Sequence, residues 1–329
     1  MKILRVGDPH VRISNLAESE ALLTFVANLA KEHKVDRIEF LGDQLHNHSV
    51  VRIEVIEFWE RWLDFFSDYH EVVANEGNHD QSGDYASNYS AMSIFHRLKK
   101  PNLHIITSAK TVGTIGYIPY KHDGEKFINI ANEMAETGVQ TIVAHQTFAG
   151  SKYESGIYAP DGIDTSRISS NIAHIISGHI HSQQEIGRVD YPGTARWDSN
   201  ADANLAKGIW IYTHAADGLV LSKQFYSTES VCSPLFQVSF AEGESEPSIP
   251  GNARVTLELI GSSDWITQQK LKFKGKVSFK TKITDSAKLT SRKTGNSLED
   301  YILNIYQNTS ILTTDRENLI KVMKEMNIV

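Results

Sequence analysis

The chain has 329 residues, 40% of them apolar, and a formal charge of −7, so it can bury a sizeable core but is not coated in base for nucleic acid. A single cysteine, Cys232, excludes an intramolecular disulfide and a cysteine-built zinc site, and suits a reducing cytoplasm. No stretch approaches the roughly 18 apolar residues of a membrane span, and Met1 to Val6 start a strand-like run rather than a signal peptide, so a cytoplasmic protein with no membrane partner is expected.

In chain order, Lys2–Val6 reads as a strand and Leu16–His33 as a helix with Leu22, Leu23, Val26 and Leu29 on one face. Strand Arg37–Leu41, helix Val51–Phe66, strand Glu71–Ala74, helix Asn88–Leu98 and strand Leu103–Ile106 follow. Next come strand Thr114–Ile118, helix Lys126–Glu136 and strand Gln140–Ala144. Four further strands, Ile172–Ser177, Glu185–Val189, Gly208–Tyr212 and Leu219–Phe225, have no helices between them. Alternation followed by a strand-only run predicts a layered α/β domain over 1–228, the late strands forming a second sheet on the first. The Gly, Ser, Glu and Pro of Ser239–Asn252 mark a linker, drawn over 229–252. Beyond it, strand Arg254–Ile260, helix Ser263–Gln269 and strand Val277–Ile283 predict a small α+β domain over 253–295. Helices Ser297–Tyr306 and Asp315–Met326 close the chain in 296–329.

Five short motifs each sit where a predicted strand has just ended. They are Asp8-Pro9-His10, Gly42-Asp43-Gln44-Leu45-His46, Gly77-Asn78-His79-Asp80, His145, and Gly178-His179-Ile180-His181. In open α/β sheets the carboxyl ends of strands converge on one rim, where ligands bind, so five loops could bring these side chains together. Carboxylate, imidazole and amide oxygen suit divalent manganese, iron or zinc better than a soft metal, and Asp43 is the natural bridge between two cations. Two neighbouring cations would activate a shared water and neutralise phosphate oxygens, which is most of what phosphoryl transfer requires. His79 could then protonate the leaving group or stabilise the transition state, with Asp80 orienting its imidazole. His48, His122 and His174 read as ordinary surface or core residues.

As an ordered set, these motifs resemble those of the calcineurin-like metallophosphoesterases over roughly the first 200 residues. The resemblance implies a four-layer α-β-β-α sandwich and two divalent metal ions, manganese first, with magnesium, iron or zinc as alternatives. It would put Asp8, His10, Asp43 and His181 on one metal, and Asp43, Asn78, His145 and His179 on the other, with His79 at the phosphate. A finer likeness is to SbcD-type nucleases of DNA break repair and their compact phage counterparts. It rests on His46 three residues after Asp43, Gln184 after the Gly-His-Ile-His run, the Tyr191-Pro192-Gly193-Thr194 turn and Lys207-Gly208. That branch implies a DNA exonuclease or endonuclease with catalytic His46, a DNA-capping domain, a homodimer, and an ABC-type coiled-coil ATPase partner docked on the terminal helices. Where the branch carries glycine two residues after the first histidine, this chain has Arg12, a candidate phosphate contact.

Lys270–Lys293 holds nine lysines and arginines against one acid. Lys272, Lys274, Lys276, Lys280 and Lys282 fall on even positions, which in a strand pair would share one face and track a DNA backbone. Edge-strand protection by lysine is the alternative. Two rival functions share the metal motifs: a small-molecule phosphoesterase, such as a cyclic-nucleotide phosphodiesterase or phosphomonoesterase, and a non-catalytic DNA-end-binding scaffold. Gly42-Asp43-Gln44-Leu45-His46 differs from the Gly-Asp-x-Val-Asp-Arg-Gly of protein phosphatases, which sets that branch aside.

Overall fold

A computed structural model describes residues 1–48, 50–83 and 89–284. Its first half runs β1 (Lys2–Val6), α1 (Leu16–His33), β2 (Arg37–Phe40), α2 (Ile53–Tyr69), β3 (Glu71–Asn75), β4 (Leu103–Ile106), β5 (Lys110–Val112), β6 (Ile115–Ile118), α3 (Gly124–Glu136) and β7 (Thr141–His145). There follow β8 (His174–Gly178), β9 (Gln184–Ile186), β10 (Val189–Tyr191), β11 (Gly208–His214), β12 (Val220–Ser227), β13 (Leu235–Ala241), β14 (Arg254–Gly261), α4 (Ser263–Lys272) and β15 (Ser278–Ile283). No helix among these residues is long and apolar enough to cross a membrane.

Twelve strands form two six-stranded sheets, ordered β12-β11-β1-β2-β3-β4 and β5-β6-β7-β8-β10-β9. The centre of each sheet is parallel; antiparallel strands finish both edges of the second sheet and the β12 edge of the first, whose β4 edge is parallel. Period-two alternation gives the central strands two faces, both buried. On the first sheet Leu4, Val6, Ile38, Phe40, Val72 and Ala74 pack under α1 and α2, whose Leu22, Val26, Phe58, Trp59, Trp62 and Phe66 recur at helical spacing. On the second sheet Ile142, Ala144 and Ile175 meet Phe127, Ala131 and Met134 of α3. The opposite faces meet each other through Ile3, Val73, Tyr117, Val143, Ile176 and Tyr212. The layers therefore run helix, sheet, sheet, helix.

That middle layer also buries charge. Arg5 Nε donates to Glu39 Oε2 at 2.7 Å, Arg37 Nε to Glu71 Oε2 at 2.7 Å, and Arg37 Nη1 to the Tyr117 hydroxyl at 2.7 Å. The Tyr117 hydroxyl in turn donates to Glu39. Burial pushes the Glu39 carboxyl up, but the Arg5 and Arg37 charges and the Tyr117 hydrogen bond outweigh it and hold it below its ordinary value.

Several expectations need correcting. The late strands do not make the second sheet by themselves: β11 returns to pair with β1 and β12 with β11, and the second sheet begins at β5, a strand that was not anticipated. The single strand expected at Glu185–Val189 is a hairpin, β9 and β10, turning at Gly187 with φ +57°. In place of a helix from Asn88, a 3-10 helix spans Ala91–Leu98. Residues 229–252 are not all linker, because β13 lies within them and buries Leu235 and Phe240. The polar run that suggested a linker only follows that strand.

The described residues cluster into two compact units, one of Met1–Val238, Glu246–Leu257 and Gly275–Ser278, the other of Ser239–Ser245, Glu258–Lys274 and the described residues from Phe279. In the second, α4 is capped by Ser262, which accepts from the Trp265 amide, and Trp265 packs edge-on against Phe240 at 5.1 Å. The strand pair expected to align the lysines does not form. Lys270 and Lys272 lie in the last turn of α4, Lys274 and Lys276 fall between elements, and only Lys280 and Lys282 share a strand, β15. Alternation within a helix and turn carries no common face. Lys288, Arg292, Lys293 and the expected terminal helices lie outside the described residues.

Candidate metal centre

The expected site loops leave the carboxyl ends of β1, β2 and β3 in one sheet and of β7 and β8 in the other. They meet closely enough to exclude side chains between them. A Cβ on Gly42, whose φ is +118°, would stand 2.1 Å from His145 Nδ1, and one on Gly178 would stand 2.5 Å from Asp8 Oδ1. These glycines exist because neighbouring candidate ligands occupy the space. The backbone is strained in the same place: Asp8, His10, Asp43 and His179 have φ of 33°, 45°, 52° and 82°. Left-handed non-glycine residues concentrate at functional sites, where surrounding contacts hold them.

All seven expected ligands are brought together. His10 Nε2 lies 3.2 Å from His181 Nε2 and 3.7 Å from Asp43 Oδ2. His145 Nε2 lies 3.3 Å from Asp43 Oδ2, and Asn78 Oδ1 lies 3.1 Å from His145 Nε2 and 2.9 Å from His179 Nδ1. Among the described residues three donor groups result: Asp8 with His10 and His181, His10 with Asp43 and His79, and Asp43 with His145 and His179, the middle one sharing a residue with each of the others. Among the described residues, buried Asp8 Oδ1 and His10 Nδ1 have no hydrogen-bond partner. Unsatisfied oxygen and nitrogen lone pairs crowded without thiolate fit divalent cations of the manganese, iron or zinc kind.

Electrostatics agree with that fit. Burial lowers His10 and His179 to about 3, so both are neutral imidazoles with a lone pair to offer. Burial also raises Asp8 to about 6. His145 is raised to about 10: burial opposes its charge, but Asp43 and Asp8 outweigh burial. Reciprocally, burial raises the Asp43 carboxyl and the charge and hydrogen bond of His145 outweigh it, holding Asp43 well below the carboxylate range. A cation bound here would compete with the His145 proton for the same carboxylates.

Around the donors stand supports that sequence reasoning missed. Asp202 Oδ1 is 3.5 Å from His181 Nδ1 and accepts from Lys207 Nζ at 2.6 Å, while Lys207 also donates to the His181 carbonyl at 2.7 Å. Glu154 Oε1 accepts from the His181 amide at 2.6 Å. Tyr120 lies over His179, ring centroids 5.8 Å apart. Only Lys207 carried any signal in the sequence, through its neighbour Gly208.

His79 donates its amide to Asp43 Oδ1 at 2.8 Å, and its Nδ1 lies 2.7 Å from the His46 carbonyl. A carbonyl only accepts, so Nδ1 carries a proton and Nε2 is left for chemistry. Asp80 does not orient this ring. Its carboxylate accepts from the amides of Gly77, Leu45 and Gln44, at 2.9, 2.9 and 3.3 Å, and so clamps two ligand loops to each other. His48, set aside in the sequence, stacks on His79 with centroids 4.1 Å apart and its Nδ1 2.9 Å from the Asn78 carbonyl. His46 lies 5.9 Å from His79, centroid to centroid. Arg12 Nη1 is 3.0 and 2.9 Å from the two ring nitrogens of His46 and 3.0 Å from Asp198 Oδ1.

A two-sheet sandwich whose strand ends deliver aspartate, asparagine and histidine to one pocket defines a hydrolase of phosphate esters. Residues 1–183 match the calcineurin-like phosphoesterases, and the chain belongs to that family. Protein 078R of Invertebrate iridescent virus 3, which carries a provisional phosphoesterase name, is 24% identical over 207 residues, covering 59% of this chain and 57% of its own length. The chain thus spans little more than half of that curated relative. Among solved structures, the phosphoesterase YfcE of E. coli is 12% identical, with a TM-score of 0.33 over 68% of this chain and 98% of its own. The nuclease MPE of Pseudomonas putida is 15% identical, with a TM-score of 0.29 over 67% and 87%.

Proposed function

We propose that this phosphoesterase is a two-metal phosphodiesterase acting on DNA, the nuclease subunit of a recombination or double-strand-break repair assembly. The observation that carries the reading is the row Arg12, His46 and His79 along one side of the donor cluster. It offers a diester more than a bare metal pair would. Asp8, His10, Asp43 and His181 would hold one cation, and Asp43, Asn78, His145 and His179 the other. Bound there, two divalent cations, manganese first, would supply Lewis acidity to the phosphoryl oxygens and the attacking water.

The chain's own groups do the rest. Fixed through Nδ1, His79 would donate to the departing oxygen from Nε2 when its ring carries a proton on both nitrogens, and is left neutral by the transfer. Arg12, steadied by Asp198, offers a guanidinium that pairs with non-bridging phosphate oxygens. A homodimer and a coiled-coil ATPase partner complete the proposal, and both rest on the sequence resemblance.

The test is direct. The full chain, loaded with manganese, is incubated with end-labelled duplex and single-stranded DNA and, separately, with bis(p-nitrophenyl) phosphate. Metal-dependent DNA cleavage, abolished by a chelator, is expected. Turnover of the small diester without any DNA cleavage, with or without the ATPase, would overturn the reading in favour of a small-molecule phosphoesterase.

A further inference from the structure

Beside the donor cluster lies a cavity of about 280 Å³. Its inner wall is apolar, built by Val11, Leu45 and Val55, which are buried, and by half-buried Val51. Arg12 and His46 also line it, and His46 lies 5.6 Å from His10 of the donor cluster, ring centroid to centroid. This is not the surface of a pocket built only for phosphate, which would have polar walls. Apolar walls ending at a planar cation suit a flat, unsaturated ring, since a guanidinium over an aromatic face gains both dispersion and cation–π attraction.

Resting on the nuclease reading above, we infer that this cavity receives one nucleobase, unstacked from the strand, of a nucleotide flanking the scissile phosphate. At about 280 Å³ the cavity lies just below the roughly 300–1,000 Å³ of pockets for drug-sized ligands, so one nucleobase fits within it. A base that is stacked and paired in duplex DNA cannot enter it, and must be unpaired or extruded first. Continuity places the phosphate: Arg12 and His46 belong both to the cavity wall and to the row beside His79, so a nucleotide with its base in the cavity has its phosphate toward the cations. Besides Arg12 and His46, the polar side chains in the lining are Ser14, Asn47 and Arg52, of which Ser14 Oγ already accepts from Arg12 Nε and Arg52 pairs with Glu54. With Ser14 and Arg52 already engaged, little is left to read a base edge, so the cavity is tolerant of base identity, as stacking platforms are. Its consequence is a preference for ends, gaps and single strands over intact duplex.

The experiment uses manganese-loaded full-length protein and single-stranded oligonucleotides carrying one abasic residue, on the 5′ or on the 3′ side of the principal cleavage position. Stacking of one base is worth about 1–3 kcal/mol, so one of the two abasic substrates should lose roughly 5- to 150-fold in kcat/KM. Independently of turnover, a mononucleotide should displace 2-aminopurine-labelled DNA at least about 5-fold more tightly than deoxyribose 5-phosphate does. Filling the cavity by Val51→Trp should erase the difference between intact and abasic substrates. Cleavage of both abasic oligonucleotides at the intact rate, with equal displacement by nucleotide and sugar phosphate, overturns the inference and leaves the nuclease reading standing. No cleavage of any oligonucleotide, with good turnover of bis(p-nitrophenyl) phosphate, overturns both.

Discussion

Two clusters of charged side chains are buried in the same sandwich, and they are built on opposite plans. Between the sheets, cations alternate with anions: Arg5 meets Glu39, Arg37 meets Glu39 and Glu71, and Tyr117 bridges Arg37 and Glu39. At the rim, like faces like. Nitrogen approaches nitrogen between His10 and His181, and Asp8 and Asp43 share the single imidazole of His145. The first cluster supplies its own counter-charges, whereas the second is short of positive charge by an amount that cations would make good. Burial of charge is therefore no mark of a site. Convergent lone pairs on strained backbone are.

The sharpest way to break that comparison is to unbalance each cluster by one charge. Asp43→Asn removes the carboxylate where two donor groups meet, and manganese-dependent turnover of bis(p-nitrophenyl) phosphate should fall on the order of 10³-fold, about 4 kcal/mol. The circular dichroism spectrum should not change. Retention of a tenth of the wild-type rate would mean that the rim is not the metal centre.

Glu39→Gln, the corresponding change between the sheets, should do the reverse. It strands Arg5 and Arg37 without their shared anion and should cost about 3–5 kcal/mol in urea unfolding, with turnover per folded molecule unaltered. Its pH signature follows from the depressed Glu39 carboxyl. The stability that carboxyl contributes is present above its unfolded value of 4.5 and is lost as pH falls below that toward the folded value. Wild type should therefore show an acid limb that the variant lacks, and superimposable acid limbs would remove Glu39 from the account. A smaller effect separates donors from their supports. Asp202→Asn loosens His181 without removing a donor, so manganese affinity measured by calorimetry should weaken about 10- to 100-fold.

The two clusters were unequally legible. The rim could be read because four of its five motifs carry a short local signal, a glycine followed by Asp, Asn or His at a strand end, and His145 falls at a strand end between them in the order. Asp202 and Glu154 had no such signal, since what matters about them is spatial proximity to His181. The inter-sheet cluster was not read at all: Arg5, Arg37 and Glu39 alternate with apolar residues, and that pattern ordinarily means a solvent-facing side of a strand. Alternation tells two faces apart but not what covers them. The same limit misplaced β11 and β12, whose pattern fits either sheet, and it let a helix end and a turn pass for a strand at Lys270–Lys276.

The finest test concerns the outer edge of the rim, where His48 stacks on His79. Two contacts compete as the reason for its presence, the ring face at 4.1 Å and the hydrogen bond to the Asn78 carbonyl at 2.9 Å. Stacked aromatic pairs are worth about 0.5–1.5 kcal/mol, so His48→Ala should lower kcat roughly 2- to 12-fold while leaving KM near its original value. His48→Phe keeps the ring and drops the hydrogen bond. If the stack positions His79, the phenylalanine variant recovers most of kcat. If the bond to Asn78 matters more, it recovers none and manganese affinity falls as well, because Asn78 belongs to the donor set. Wild-type kcat in His48→Ala would return His48 to the ordinary surface histidine it resembled in the sequence.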